Sequence, residues 1–214
     1  MRNVKWIGIV GAALYVLAML VLNAVPGGGP VDAADFDRFY VADQQMSLAI
    51  LGLFLAGFAA VALLWFLWQL RVAIGTHLAE LGFIAGAIGL AQFTVATGLI
   101  VAPSGVQLIG GQPFVGAEIA HSVASAGWAI MLVGGAFALA VAVAAFSRAA
   151  RRTNSLPGWV ATTGYVVAAV QVVAAMFVPH FLVPLWFLVV AAVGVEAGTV
   201  VEGEPAGSAK AFPG

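Results

Sequence analysis

Long stretches without a charged side chain constrain this sequence more than any other feature. Residues 6–25 form the first stretch, and further ones follow at 44–70, 81–101 and 157–178. A helix needs roughly 20 apolar residues to cross the hydrocarbon core of a bilayer. Only 8% of the residues are charged, against about 25% in soluble domains, so the chain lacks the polar residues to cover a surface in water. The sequence therefore predicts an all-α fold, a polytopic transmembrane helix bundle.

Breaker residues and charged segments divide the chain into about six spans. The spans are predicted near residues 5–25, 45–70, 81–101, 115–146, 157–178 and 181–198. Proline and clustered glycine end the first span at 26–30 and the third at 103–105, because these residues do not continue a helix. Residues 1–198 are predicted to form one six-helix domain, and residues 199–214 a disordered cytoplasmic tail. The first span exceeds the apolar core of a signal peptide, so we expect it to be retained.

The basic residues are distributed unevenly between the predicted loops, which include a short turn at 72–80 and a loop at 147–157. With the N-terminus inside, the cytoplasmic segments contain seven of the eight lysines and arginines, namely Arg2, Lys5, Arg71, Arg148, Arg151, Arg152 and Lys210. An excess of basic residues on one side sets the orientation of a membrane protein. We therefore expect a multi-pass protein of the bacterial plasma membrane with both termini in the cytoplasm. The arginine cluster of the 147–157 loop would face anionic lipid head groups.

Several interface motifs point to a family. The basic loop leads into Leu156-Pro157-Gly158-Trp159, and the last span contains Pro184-Leu185-Trp186-Phe187-Leu188. Phe39-Tyr40 precedes the second span, and Trp65-Phe66 ends it. With these motifs the chain resembles small six-helix bacterial integral membrane proteins of unknown function, a domain-of-unknown-function family. The resemblance implies a six-helix inner-membrane protein and supplies no catalytic residue.

The fourth span begins with a polar helical face. Glu118 and His121 are three residues apart, and Ser125 lies on nearly the same face. Because this span is longer than a bilayer requires, the face lies at or above the outer hydrocarbon boundary. Either its side chains bond to neighbouring helices and orient the span, or they line an outer pocket for a lipid head group or small solute. The pocket candidates are Glu118, His121, Ser125, Gln92, Gln171 and His180.

A metal site is a further hypothesis for the same end of the protein. Glu-x-x-His supplies two ligands in di-iron bundles, but those bundles take a second copy of the motif from another helix, and this chain has one copy. A single zinc ion needs about three protein ligands in a catalytic site. Glu118, His121 and His180 are the candidates, with Asp43 at the same membrane level. No cofactor is assigned.

Three functions remain open at this point. The leading hypothesis is a non-enzymatic integral membrane protein with the outer polar pocket. A small transporter or permease component would need a continuous polar path from His121 through Gln92 and Gln171 toward Glu196. A metal-dependent membrane enzyme is the third hypothesis, although the sequence contains no HExxH, P-loop or Gly-x-Ser-x-Gly motif. Expected partners are membrane lipids and a second copy or another membrane protein, but no nucleic acid, because eight basic residues form no continuous stripe.

Overall fold

Helices account for the fold over the residues that the computed structural model describes. These residues are 2–25, 43–113, 116–173 and 181–195. The six helices are α1 Arg2–Leu22, α2 Asp43–Ile74, α3 His77–Leu108, α4 Ala117–Thr153, α5 Gly158–Val172 and α6 Leu182–Val193. Within α4, a π-helical segment at Ile130–Gly135 separates two α-helical sections. No strand occurs in the described ranges, so the predicted all-α class is confirmed there.

Four of these helices are long and apolar enough to cross a membrane. They contain the stretches Lys5–Leu22, Met46–Ile74, His77–Leu108 and Ala117–Thr153. The described parts of α5 and α6 are shorter, with 15 and 12 residues. Large apolar side chains such as Phe54, Phe58 and Val61 lie exposed along one face of α2. An exposed apolar face of this size would be a liability in water and suits contact with lipid.

The helices pack side by side in the order of the sequence, and α6 closes the ring by packing on α1. Aromatic side chains fill the interior of the ring. Tyr15 of α1 stacks on Phe93 of α3 with ring centroids 4.1 Å apart. Phe66 of α2 meets Phe187 of α6 edge to face at 6.3 Å. The interior is therefore held by large apolar groups that reach between helices that are not adjacent in the sequence.

One end of the bundle, called the basic end here, collects the described basic side chains. Lys5 at the start of α1 donates a hydrogen bond to the carbonyl of Val193 at the end of α6, with an Nζ–O distance of 3.4 Å. The turn between α4 and α5 lines a cavity with the same end of α6. The described basic side chains at this end are Lys5, Arg71, Arg148, Arg151 and Arg152. Their grouping is what the predicted topology requires; Arg38 and Lys210 lie outside the described residues.

The predicted end of α3 at Pro103 is wrong, because the helix continues to Leu108. Proline removes one backbone donor and leaves the carbonyl of Leu99 without its helical partner. Pro103 and Ser104 are nevertheless buried against neighbouring helices. The packing of this turn thus outweighs the lost hydrogen bond, which a local breaker rule does not include.

Two predicted loops are shorter than expected. The turn predicted at 72–80 reduces to two residues, since Gly75 adopts a positive φ of 65° and Thr76 caps α3 by accepting a hydrogen bond from the Ala79 N–H at 3.2 Å. The three arginines expected in the 147–157 loop lie instead in the last turns of α4, which is capped after Thr153 by Asn154 in the left-handed conformation. Basic side chains are favourable at a helix C-terminus because they complement the helix dipole.

Candidate functional site

The contact between α3 and α4 is apolar in its half near the basic end. Gly82 and Gly89 of α3 face Phe146 and Leu139 of α4. A Cβ atom added to Gly82 would lie 2.9 Å from the Phe146 ring, and one added to Gly89 would lie 2.7 Å from Leu139. Small residues let membrane helices approach closely. The glycines of α3 therefore form a packing surface for α4.

The middle of the same contact contains an amide and an irregular helical turn. The side chain of Gln92 points at Gly134, where an added Cβ would lie 2.8 Å from Nε2. Gly134 belongs to the π-helical segment of α4. The Oε1 atom of Gln92 is buried and has no hydrogen-bond partner among the described residues. Short π-helical segments inside α-helices are frequent at functional sites.

The register of the two helices beyond this point follows from Gly127. A Cβ at Gly127 would lie 2.6 Å from the carbonyl oxygen of Ala96 and 2.9 Å from Ile100. Because α3 and α4 run antiparallel, the same register continued away from the basic end brings Ser104 level with His121. It also brings Gln107 level with Glu118. The polar start of α4 thus lies beside the part of α3 that follows Pro103.

By this register, polar residues of the two helices lie at the same level of the bundle, at the end opposite the basic end, called the far end. The far-end polar cluster comprises Ser104 and Gln107 of α3 with His121 and Ser125 of α4. Ser104 is fully buried, and its Oγ has no hydrogen-bond partner among the described residues. Gln107 Oε1 and His121 Nδ1 are also buried atoms, on side chains that are otherwise partly accessible. Together the four side chains comprise hydroxyl, amide and imidazole groups.

Glu118 lies apart from the buried side of this cluster. Its side chain is exposed in the first turn of α4, and its backbone carbonyl accepts a hydrogen bond from Ser122 Oγ at 2.8 Å. A carboxylate in a first turn is stabilised by the unpaired N–H groups of the helix N-terminus. Gly116 provides no side-chain cap there. We therefore expect Glu118 to orient α4 by stabilising its N-terminus rather than by bonding to a neighbouring helix.

The structure separates two other predicted pocket residues from His121. Gly164 of α5 lies against Ser147 of α4, and the register continued from there places the buried Gln171 level with Ala140. At 1.5 Å per residue this is roughly 28 Å from His121 along α4. Gln92 lies roughly 20 Å from His121 on the same scale. Three pocket candidates thus reach the far end of α4, while Gln92 and Gln171 lie deeper in the bundle and His180 is outside the described residues.

Sequence reasoning missed Ser104 and Gln107 as members of the site. The breaker rule placed Pro103 and Ser104 in a loop, which removed both residues from consideration as helical neighbours of α4. The signal that identifies them is the antiparallel register set by the glycines. Predicting that register requires knowing that α3 and α4 pack on one another.

The far end is separated from the basic end by apolar packing. Among the described residues, Leu139 and Phe146 fill the α3–α4 contact between Gln92 and the basic end, and Tyr15 stacked on Phe93 fills the interior. Glu196, the last residue of the polar path that a transporter would need, lies outside the described residues, so that path stays a prediction.

The α2–α3 turn carries a separate charged group at the basic end. Arg71 donates to Glu80 at 2.9 Å, and its guanidinium lies 4.8 Å from the centre of the Trp68 ring. His77 is fully exposed, with Nδ1 3.8 Å from Glu80. The ion pair is partly solvated and connects the end of α2 with the start of α3. The structure therefore separates His77, at the start of α3, from His121 by the length of the bundle.

The four described ranges contain no group of three or more His, Asp or Glu side chains that could hold a metal ion. Glu118 and His121 are described, whereas His180 is not, and the side chain of Asp43 is not described either. The proposed zinc site depends on His180, so it stays a prediction.

The relationship of the chain to known proteins does not add residues to this site. The resemblance to six-helix bacterial membrane proteins stays a prediction, and the far-end polar cluster is defined by its geometry. Comparison of the chain with protein-family models, curated proteins and solved structures found no match.

Proposed function

We propose that this chain is a non-enzymatic, six-span protein of the bacterial plasma membrane that binds a lipid head group or small polar solute at the far-end polar cluster. The observation that carries the proposal is the fully buried Ser104, whose Oγ lacks a partner among the described residues, level with His121 of the facing helix. Burying a polar group without a hydrogen bond is costly. A polar ligand between α3 and α4 would offset that cost.

The proposed orientation places both termini and the basic end in the cytoplasm. Five described basic side chains lie at the basic end, including three in the last turns of α4. The far end contains the described carboxylate of Glu118. An excess of Lys and Arg on the cytoplasmic side is the usual determinant of topology. The far-end polar cluster would then be open to the outer leaflet or the outer aqueous phase.

A small transporter or permease component is the second candidate function, because α3 and α4 each contain an irregularity within the span. α3 contains Pro103, and α4 contains the π-helical segment next to Gln92. Irregular backbone at membrane depth is tolerated where it is buried in protein or lines a water-filled cavity, and transporters use interrupted helices of this kind at their binding sites. A transporter would have to open the apolar contact at Leu139 and Phe146.

Single-cysteine labelling tests the proposal, since the chain has no cysteine of its own. In intact cells a membrane-impermeant thiol reagent should modify Ser104→Cys at least tenfold faster than the deeper, fully buried Thr97→Cys. Glycerol 3-phosphate, a soluble analogue of a phospholipid head group, should slow the modification of Ser104→Cys. Equal protection of Ser104→Cys and Thr97→Cys would show that the far end is closed and that the proposed site is wrong.

Two exposed positions in the same experiment report the orientation. Gln112→Cys, at the far end, should be labelled in intact cells. Asn154→Cys, at the basic end, should be labelled only after the membrane is permeabilised. The opposite pattern would place the basic end outside and overturn the proposed topology.

A further inference from the structure

A cavity of about 180 Å³ opens at the basic end between the last turns of α2 and α6. Its position follows from the close approach of α1 at Gly8, where an added Cβ would lie 2.7 Å from both Phe66 of α2 and Ala191 of α6. Beyond this contact α2 continues to Ile74 and α1 to Arg2, whereas α6 ends two residues after Ala191, at Val193. Lys5 therefore stands at the mouth of a gap that the end of α6 leaves beside α2.

The walls of this cavity are apolar and its polar groups are few. Phe66 and Leu70 of α2 face Val190 of α6, and Lys5 and Gln69 supply the polar groups. None of the described lining residues is acidic. The exposed Lys5 ammonium contacts the Val193 carbonyl through one N–H. An ammonium has three N–H donors, so two remain for a bound anion.

Exposed indoles place the cavity at the depth of lipid head groups. Trp6 follows Lys5 directly on α1, and Trp68 precedes Gln69 on α2. Both tryptophan side chains are exposed. Exposed tryptophans concentrate at the membrane–water interface. The mouth of the cavity is thus level with phosphate groups, and its apolar floor is level with the upper part of the acyl chains.

We propose that this cavity binds one anionic phospholipid of the adjoining leaflet, with its phosphate on the Lys5 ammonium and an acyl chain against Phe66, Leu70 and Val190. The remaining basic side chains of this end raise the local concentration of anionic lipid, because surface charge attracts it. A free phosphate ion would meet only the mouth of the cavity and leave the apolar walls unoccupied. The site lies at the opposite end from the far-end polar cluster and does not depend on it.

Native mass spectrometry of the purified full-length protein tests this proposal. Phosphatidylglycerol should give at least fivefold more bound lipid than phosphatidylcholine with the same acyl chains. Lys5→Gln should reduce phosphatidylglycerol binding to the phosphatidylcholine level. Arg152→Gln is the matched control, because Arg152 is exposed at the same end and does not line the cavity; its phosphatidylglycerol binding should fall by less than twofold, since it contributes only to the general surface charge.

A second variant tests the apolar part of the site. Ala73→Phe would fill the cavity from the half-buried wall of α2 and should reduce phosphatidylglycerol binding at least threefold while the thermal midpoint stays close to that of the wild type. Three results would overturn the proposal: full binding by Lys5→Gln, displacement of the lipid by millimolar inorganic phosphate, or severalfold stronger lipid binding after deletion of residues 196–214. The last result would show that the chain's own tail occupies the cavity.

Discussion

The two halves of the α3–α4 contact achieve close packing with glycines on opposite helices. Near the basic end the glycines belong to α3, and Gly82 receives Phe146 of α4. Toward the far end they belong to α4, where Gly127 approaches the backbone of α3 at Ala96 and Gly134 receives the side chain of Gln92. The first half therefore buries large apolar side chains, and the second brings polar groups and backbone together.

This difference divides the roles of the two halves. The half near the basic end is regular helix with an apolar contact, which is sufficient to hold the helices in register. The far half contains both Pro103 and the π-helical segment, together with the polar side chains of the contact, namely Gln92, Thr97, Ser104, Gln107, His121 and Ser125. In lipid, polar and irregular backbone groups must be satisfied within the protein. We infer that the half near the basic end stabilises the fold, and the proposed binding site lies in the other half.

The largest expected effect tests the apolar half. Phe146→Ala should lower the free energy of unfolding by about 3 kcal/mol, because it empties the space that Gly82 leaves for the ring. Phe137→Ala, on the exposed face of the same helix, should change stability by less than about 0.5 kcal/mol. Chemical unfolding in detergent measures both. Equal losses for the two variants would mean that this half does not anchor the contact.

A smaller effect is expected from the closest backbone approach in the far half. Gly127→Ala should cost about 2 kcal/mol, since the new Cβ would meet the carbonyl oxygen of Ala96, which cannot rotate away as a side chain would. Gly98→Ala meets open space on α3 and should stabilise the protein by up to about 1 kcal/mol through its higher helix propensity. The comparison uses thermal midpoints in the same detergent. A neutral Gly127→Ala would contradict the register that defines the far-end polar cluster.

The smallest expected effect has the opposite sign. Gln92→Leu should raise stability by about 1 kcal/mol, because it replaces a buried amide oxygen that lacks a partner among the described residues. Thr94→Val is the control: its hydroxyl donates to the Leu90 carbonyl of its own helix at 2.9 Å, so the change should be near zero. A loss of stability in Gln92→Leu would assign a structural hydrogen bond to this amide. A gain in stability together with lost solute flux would favour the transporter hypothesis.

The helices, and which of them can span a bilayer, could be predicted because the sequence signals for both are local. The length of an uncharged run decides whether a segment can span a bilayer, and the arginines after Phe146 mark one end of α4. The rule that proline ends a helix failed at Pro103 because it considers only the local backbone. It counts the lost hydrogen bond of the proline and omits the neighbours that bury Pro103 and Ser104.

By itself, the sequence determined that the described chain forms apolar helices, because this depends on local runs of residues. It also determined that the described basic side chains collect at one end, because successive helices run in opposite directions and these residues lie at every second connection or at the start of the chain. Only the tertiary structure decided which polar groups meet. Ser104 and Gln107 come beside His121 because Gly127 packs on Ala96, a contact between residues on two different helices. Gln171, which resembles Gln92 in the sequence, faces another part of the bundle. The register of packed helices depends on side-chain shape at every point of the interface, and no local pattern contains it.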